Sequence, residues 1–195
     1  MSVEIVRAAV ELGLTDLAEN RVQEAEAKVT DLPQASWQLV GHLQSNKAGR
    51  AVKLFDCIQS VDSVELAERI ARRAADAGKT PYPVYLQVNV DSDAAKAGFA
   101  VESLEAALPA IAALPGLELR GLMTVGRLVA RPGDARPTFV ALREAGARLR
   151  AREARLGAAL SMGMSDDFEI AIEEGATVVR IGRAIFGERV VTVSR

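Results

Sequence analysis

Short apolar runs rich in Val, Ile and Leu alternate along the chain with longer segments of helical period, the pattern of repeated βα units. The strand-like runs are Leu17 to Glu19, Trp37 to Gly41, Asp56 to Val61, Val84 to Val90, Leu117 to Val125, Ala159 to Met162 and Thr177 to Ile181. A helix over Ser2 to Leu12 precedes the first of them. After Val61 the helical grammar is explicit: Asp62 can cap, Glu65 can close a capping box, Leu66 and Ile70 share a face, and Gly78 stops the helix. Between Phe139 and Leu156 the buried stripe is Phe139, Leu142 and Leu149. Arg143, Arg148, Arg150, Arg152 and Arg155 crowd the remainder and read as a solvated face. Arg131 to Pro137, with two prolines and a glycine, reads as a long βα loop.

This succession predicts an α/β fold, a TIM-type (β/α)8 barrel lacking its first strand, built as a single domain over residues 1–195. An open doubly wound sheet is the alternative, but the first strand is not followed by a Gly-rich dinucleotide fingerprint. Composition adds that 49% of the residues are apolar, enough for one substantial core. A net charge of −2 provides no global basic field for nucleic acid or an anionic membrane, so a small bound partner is expected. Cys57 is the sole cysteine and His42 the sole histidine, which argues against a disulfide framework, a zinc cluster or a histidine metal centre. Met1 to Leu12 is amphipathic and carries Glu4, Arg7 and Glu11, unlike a signal peptide or membrane span, so a cytoplasmic location is expected.

Chemistry is expected where the strands end, because βα loops at the carboxyl face carry the active sites of TIM barrels. In the run ending Val178-Val179-Arg180-Ile181-Gly182, the two-residue period puts Arg180 on the face of Val178 and Gly182. Arg180 is then a charge within an apolar strand and requires an acceptor: a ligand atom, a carbonyl, or a carboxylate such as Asp56 or Glu19. Gly182-Arg183-Ala184 follows and can present backbone N–H groups to a phosphate. The preceding strand ends in Ser161-Met162-Gly163-Met164-Ser165-Asp166-Asp167, from which Ser161 is the expected phosphate ligand. Ser165 and Asp166 are expected to cap the next helix. Asn20 could approach a ligand or cap the helix beginning at Arg21.

Leu160 to Asp167 and Val179 to Gly187 together resemble the pyridoxal phosphate homeostasis family. Glu19-Asn20-Arg21-Val22-Gln23-Glu24, Gly41-His42-Leu43-Gln44-Ser45-Asn46-Lys47, Lys96-Ala97-Gly98-Phe99 and Gly121-Leu122-Met123 are similar to further segments of that family, in one order along the chain. The resemblance implies a barrel like the alanine racemase N-terminal domain, binding pyridoxal 5′-phosphate (PLP). It implies a phosphate held near Ser161, Gly182 and Arg183, a pyridine nitrogen near Arg180, and Asn20 turned toward the site. An arginine at that nitrogen disfavours its protonation and weakens the ring as an electron sink, so broad amino-acid chemistry is not expected.

The family attaches its cofactor through a lysine on the first strand, ahead of a helix that resembles Val3 to Leu12. That covalent PLP lysine is absent from this sequence: Lys28, Lys47, Lys53, Lys79 and Lys96 do not align with it. Lys28 and Lys79 read as solvated, whereas Lys47 and Lys96 lie in matched segments. A translated start upstream of Met1 is therefore expected. The functional expectation is a monomeric, non-catalytic carrier or buffer of PLP, with PLP-dependent apo-enzymes as partners. A racemase-like PLP enzyme, or a barrel fragment that has lost covalent attachment, is the alternative.

Overall fold

All seven expected strands form, and they lie in chain order in one parallel sheet: β1 (Asp16–Glu19), β2 (Ser36–Leu39), β3 (Cys57–Val61), β4 (Tyr82–Gln87), β5 (Leu117–Met123), β6 (Ala159–Met164) and β7 (Val178–Arg180). The computed structural model describes residues 1–127 and 129–187. Helices α1 (Val3–Glu11), α2 (Val22–Asp31), α3 (Ala48–Leu54), α4 (Val64–Asp76), α5 (Val101–Ala113), α6 (Arg136–Arg152), α7 (Phe168–Glu173) and α8 (Arg183–Phe186) complete the alternation. Parallel pairing of every neighbouring strand forces each connection to cross back along the sheet, and a helix makes each crossing between them.

The sheet curls into a nearly closed barrel. Ser161 on β6 hydrogen-bonds Gln59 on β3 at 2.6 Å although β4 and β5 lie between them in the sheet. Only a wall bent back on itself brings those side chains together. Among the described residues β1 and β7 do not pair with each other and form the two edges. The inward positions of β1, Asp16 and Ala18, are correspondingly exposed, while Leu17 and Glu19 are buried.

Strand periodicity divides the side chains into two layers. Trp37, Leu39, Ile58, Val84, Leu86, Leu122, Leu160 and Met162 join the large core between wall and helices. Cys57, Tyr85 and Met123 form a smaller cluster inside the barrel, against which Val125, Ala159 and Val178 pack. Burial pushes the Cys57 thiol up to about 12. One close approach dictates a glycine: a Cβ on Gly41 would lie 2.0 Å from the backbone oxygen of Asn20, so the chain leaving β2 passes against the end of β1 only without a side chain.

Several local expectations are corrected. The cap of α4 is Ser63, which accepts from the Leu66 amide at 3.2 Å, whereas Asp62 pairs with exposed His42 at 3.0 Å. Leu66 and Ile70 are buried as expected, and Gly78 ends the helix at φ +66°. Pro132–Ala135 form a 3-10 turn leading into α6, so the expected loop is largely helical. Of the arginines on α6, Arg143 pairs with Glu174 and Arg152 with Glu105, so that face is partly tied to its neighbours rather than simply solvated. Lys28 is buried, not solvated, because α2 lays it over β1 where it pairs with buried Glu19.

Candidate functional site

The site is built at the carboxyl ends of β5, β6 and β7. Val178 packs on the interior cluster and Arg180, two residues on, turns into the same interior, as the strand period requires. Arg180 Nη1 donates to Ser161 Oγ at 2.7 Å, and Nη2 donates to the Thr124 carbonyl at 2.7 Å. Thr124 is itself fixed by its hydroxyl, which donates to the Val88 carbonyl at 2.7 Å. Neither Asp56 nor Glu19 partners Arg180: Asp56 accepts from the Trp37 amide at 2.9 Å, and Glu19 is held by Lys28. Burial brings the Arg180 guanidinium down to about 10, with Asp167 opposing the shift. A cation hydrogen-bonded to a neutral hydroxyl and a carbonyl, with Asp167 acting on it only at longer range, is suited to face an electron-rich ligand atom.

Ser161 is fully buried inside the barrel, beneath Arg180. The expected strand stops at Met162, but β6 runs on to Met164, and the extension leaves Ser161 within the wall rather than at its rim. The hydroxyl at the rim is Ser165. Its Oγ accepts from the Gly182 amide at 3.3 Å and from the Ala184 amide at 3.2 Å. Ser165 therefore does not cap α7. Asp167 is the cap residue of that helix, and its carboxylate accepts from the Met164 amide at 2.7 Å. Asp166 is likewise not a cap: it pairs with Arg183, which is exposed on the first turn of α8.

Two amides converging on one oxygen make an arrangement that a phosphate oxygen can share or take over. Nothing lies within 4 Å of where a Gly182 Cβ would sit, so the turn opens onto free space rather than being sealed by packing. The donor set thus fits a phosphate, and the enclosed arginine beside it fits the ring of a phosphorylated pyridine. Asn20 is exposed at the end of β1, and the cap position of α2 is Arg21 without a side-chain cap bond, which removes the capping role. Lys96 reaches the same rim, its Nζ donating to the carbonyls of Val125 at 3.2 Å and Gly126 at 2.6 Å. The sequence pattern assigned Ser165 to capping rather than to the candidate site; the signal for its place at the rim was its position two residues beyond Gly163, just past the strand.

A profile for the alanine racemase N-terminal domain matches residues 1–190. The pyridoxal phosphate homeostasis protein of Pseudomonas aeruginosa is 44% identical over 94% of this chain and 79% of its own length. This chain belongs to the pyridoxal phosphate homeostasis family. A solved structure of family member PipY from Synechococcus elongatus PCC7942, with PLP bound, is 41% identical at a TM-score of 0.88, over 95% of this chain and 87% of that one. An alanine racemase from Clostridium difficile 630 superposes with a TM-score of 0.80 at 16% identity over 96% of this chain and 48% of that enzyme, a likeness of fold alone. Homeostasis-family membership agrees with the parallel barrel and with the order of the matched segments. No helix among the described residues is long and apolar enough to cross a membrane.

Proposed function

We propose that this chain binds PLP and acts in PLP homeostasis as a cytoplasmic, non-catalytic carrier or buffer that supplies apo-enzymes. The phosphate is held by the amides of Gly182, Arg183 and Ala184 with the Ser165 hydroxyl. Arg180, anchored through Ser161, faces the pyridine nitrogen, and Asn20 closes the ring edge from β1. The observation that carries this reading is Arg180 itself: a guanidinium turned into the barrel, hydrogen-bonded to a hydroxyl and a carbonyl rather than to a carboxylate, directly before an open glycine turn whose amides converge. Bound PLP supplies an electron sink whose strength depends on protonation of its ring nitrogen, and a facing cation keeps that nitrogen unprotonated. The residues bind and orient; they are not arranged to move a proton on an amino-acid substrate. The PLP-bound family member from Synechococcus elongatus supports the reading.

The test is titration of the folded chain with PLP by absorbance and equilibrium dialysis. Borohydride reduction and peptide mass mapping then follow, with α-proton exchange of alanine in deuterated buffer measured in parallel. Saturable binding at one site, lost in Arg180→Leu, is expected, with alanine exchange no faster than in free PLP. Absence of binding by folded protein would overturn the assignment, and catalysed exchange would replace carrier by racemase-like enzyme.

A further inference from the structure

The hydrogen bond between Arg180 and Ser161 is the first link of a longer chain. Ser161 Oγ meets Gln59 Oε1 at 2.6 Å, Gln59 Nε2 meets Gln38 Oε1, and Gln38 Nε2 meets Asp16 Oδ1 at 3.3 Å. The participants stand on β7, β6, β3, β2 and β1, so the chain crosses the interior from one edge of the sheet to the other.

The direction of every link is dictated by its ends. A guanidinium only donates, so Ser161 Oγ must accept from Arg180 and can pass its single proton only onward, to Gln59 Oε1. That orients the Gln59 amide with its NH2 toward Gln38, which in turn presents its NH2 to Asp16. An ionised carboxylate only accepts, and the sequence of donors ends there. Reversing any one amide would set two donors or two acceptors against each other. Gln59 is 1% exposed, so such a mismatch would be left without compensating water. Hydrogen bonds aligned in one sense also polarise one another, so the anionic end at Asp16 strengthens the acceptor offered to Arg180.

We infer that Gln59 is a positioning residue for the cofactor site, holding Ser161 in the single orientation that points Arg180 at the ligand ring. The inference rests on the proposed function, and it adds that the charge Arg180 presents is set from the opposite wall of the barrel. Gln59 is 102 residues from Ser161 in the chain and lies in none of the segments that carry the family resemblance.

The probe is pyridoxine 5′-phosphate, which carries an alcohol in place of the aldehyde and so reports noncovalent binding alone. Its near-ultraviolet band changes with ring-nitrogen protonation, giving a readout that altered stability does not move. Gln59→Glu keeps the acceptor for Ser161 and adds negative charge behind Arg180, while Gln38 turns its amide to donate to the new carboxylate and leaves exposed Asp16 to water. Its bound ligand is expected to titrate about half a unit to one unit higher than in the wild type. Gln59→Met interrupts the chain and is expected to weaken binding about three- to tenfold, with no further loss when Ser161→Ala is combined with it. Thermal unfolding establishes that each variant is folded, and the near-isosteric Gln59→Glu keeps the test decisive if Gln59→Met is not. Wild-type titration in folded Gln59→Glu, together with wild-type affinity in any folded Gln59→Met, would overturn the positioning role while leaving the proposed function standing. Failure of the wild type itself to bind would overturn both.

Discussion

Ser165 and Gly182 meet at 3.3 Å, the serine hydroxyl accepting the glycine amide, and this contact joins the loop after β6 to the turn after β7. The same oxygen takes the Ala184 amide, so a side chain occupies the position that two convergent N–H groups prepare for an anion. In the proposed site the phosphate end is ordered by this hydroxyl, which can rotate to donate when an anion arrives.

Replacement of Ser165 by alanine removes that hydroxyl. PLP affinity is expected to fall about tenfold, the value of a lost hydrogen bond to a charged group, with thermal stability changed little because the residue is at the rim. Equilibrium dialysis of Ser165→Ala against wild type measures it; unchanged affinity would place the phosphate elsewhere.

Lys28 and Glu19 form a buried ion pair between α2 and β1, the strand that Asn20 directly follows. Lys28→Met strands a buried carboxylate and is expected to cost about 3–5 kcal/mol, whereas Glu19→Leu combined with Lys28→Met recovers most of the loss. Urea unfolding of the two single variants and the double variant gives the coupling. Additive losses would contradict it.

Gly41 lies against the Asn20 carbonyl with no room for a methyl group. Gly41→Ala forces backbone apart at the end of β1 and is expected to destabilise by about 2–4 kcal/mol and to weaken PLP binding through displaced Asn20. Urea unfolding together with a PLP titration reports both, and wild-type values would show that the contact is easily relaxed.

Alkaline pH should weaken the fold. Cys57 keeps its proton in the folded chain to about 12, while an exposed thiol loses it near 9. Between those values the folded state holds more protons than the unfolded, so its stability is intact below pH 9 and declines as pH rises. Burial raises Tyr82 and Tyr85 too, adding to the decline above their ordinary value of 10. Arg180 acts in the opposite sense, since its pKa, lowered by burial to about 10, returns stability only as pH rises above that value toward the ordinary guanidinium range. The unfolding midpoint is expected to fall above pH 9, and less steeply in Cys57→Ala; equal slopes in the two proteins would remove Cys57 from this account.

Sequence by itself determined the βα alternation, all seven strands, the burial of Phe139, Leu142 and Leu149, and the entry of Arg180 into the barrel. These follow from periodicities of two and 3.6 residues, which are local and written residue by residue. What tertiary structure decided is where strands stop and which distant polar groups meet. A strand end is not readable from a run interrupted by glycine, yet the continuation of β6 through Gly163 to Met164 moved Ser161 inside and left Ser165 at the rim. Ser63 rather than Asp62 caps α4, because His42, from the loop after β2, claims the aspartate. Gln59 met Ser161, and Glu19 met Lys28, only once the sheet curled and α2 folded back over β1. Polar partners of this kind are chosen by three-dimensional proximity under the cost of leaving a buried donor or acceptor unmatched, and that cost has no counterpart in the one-dimensional pattern.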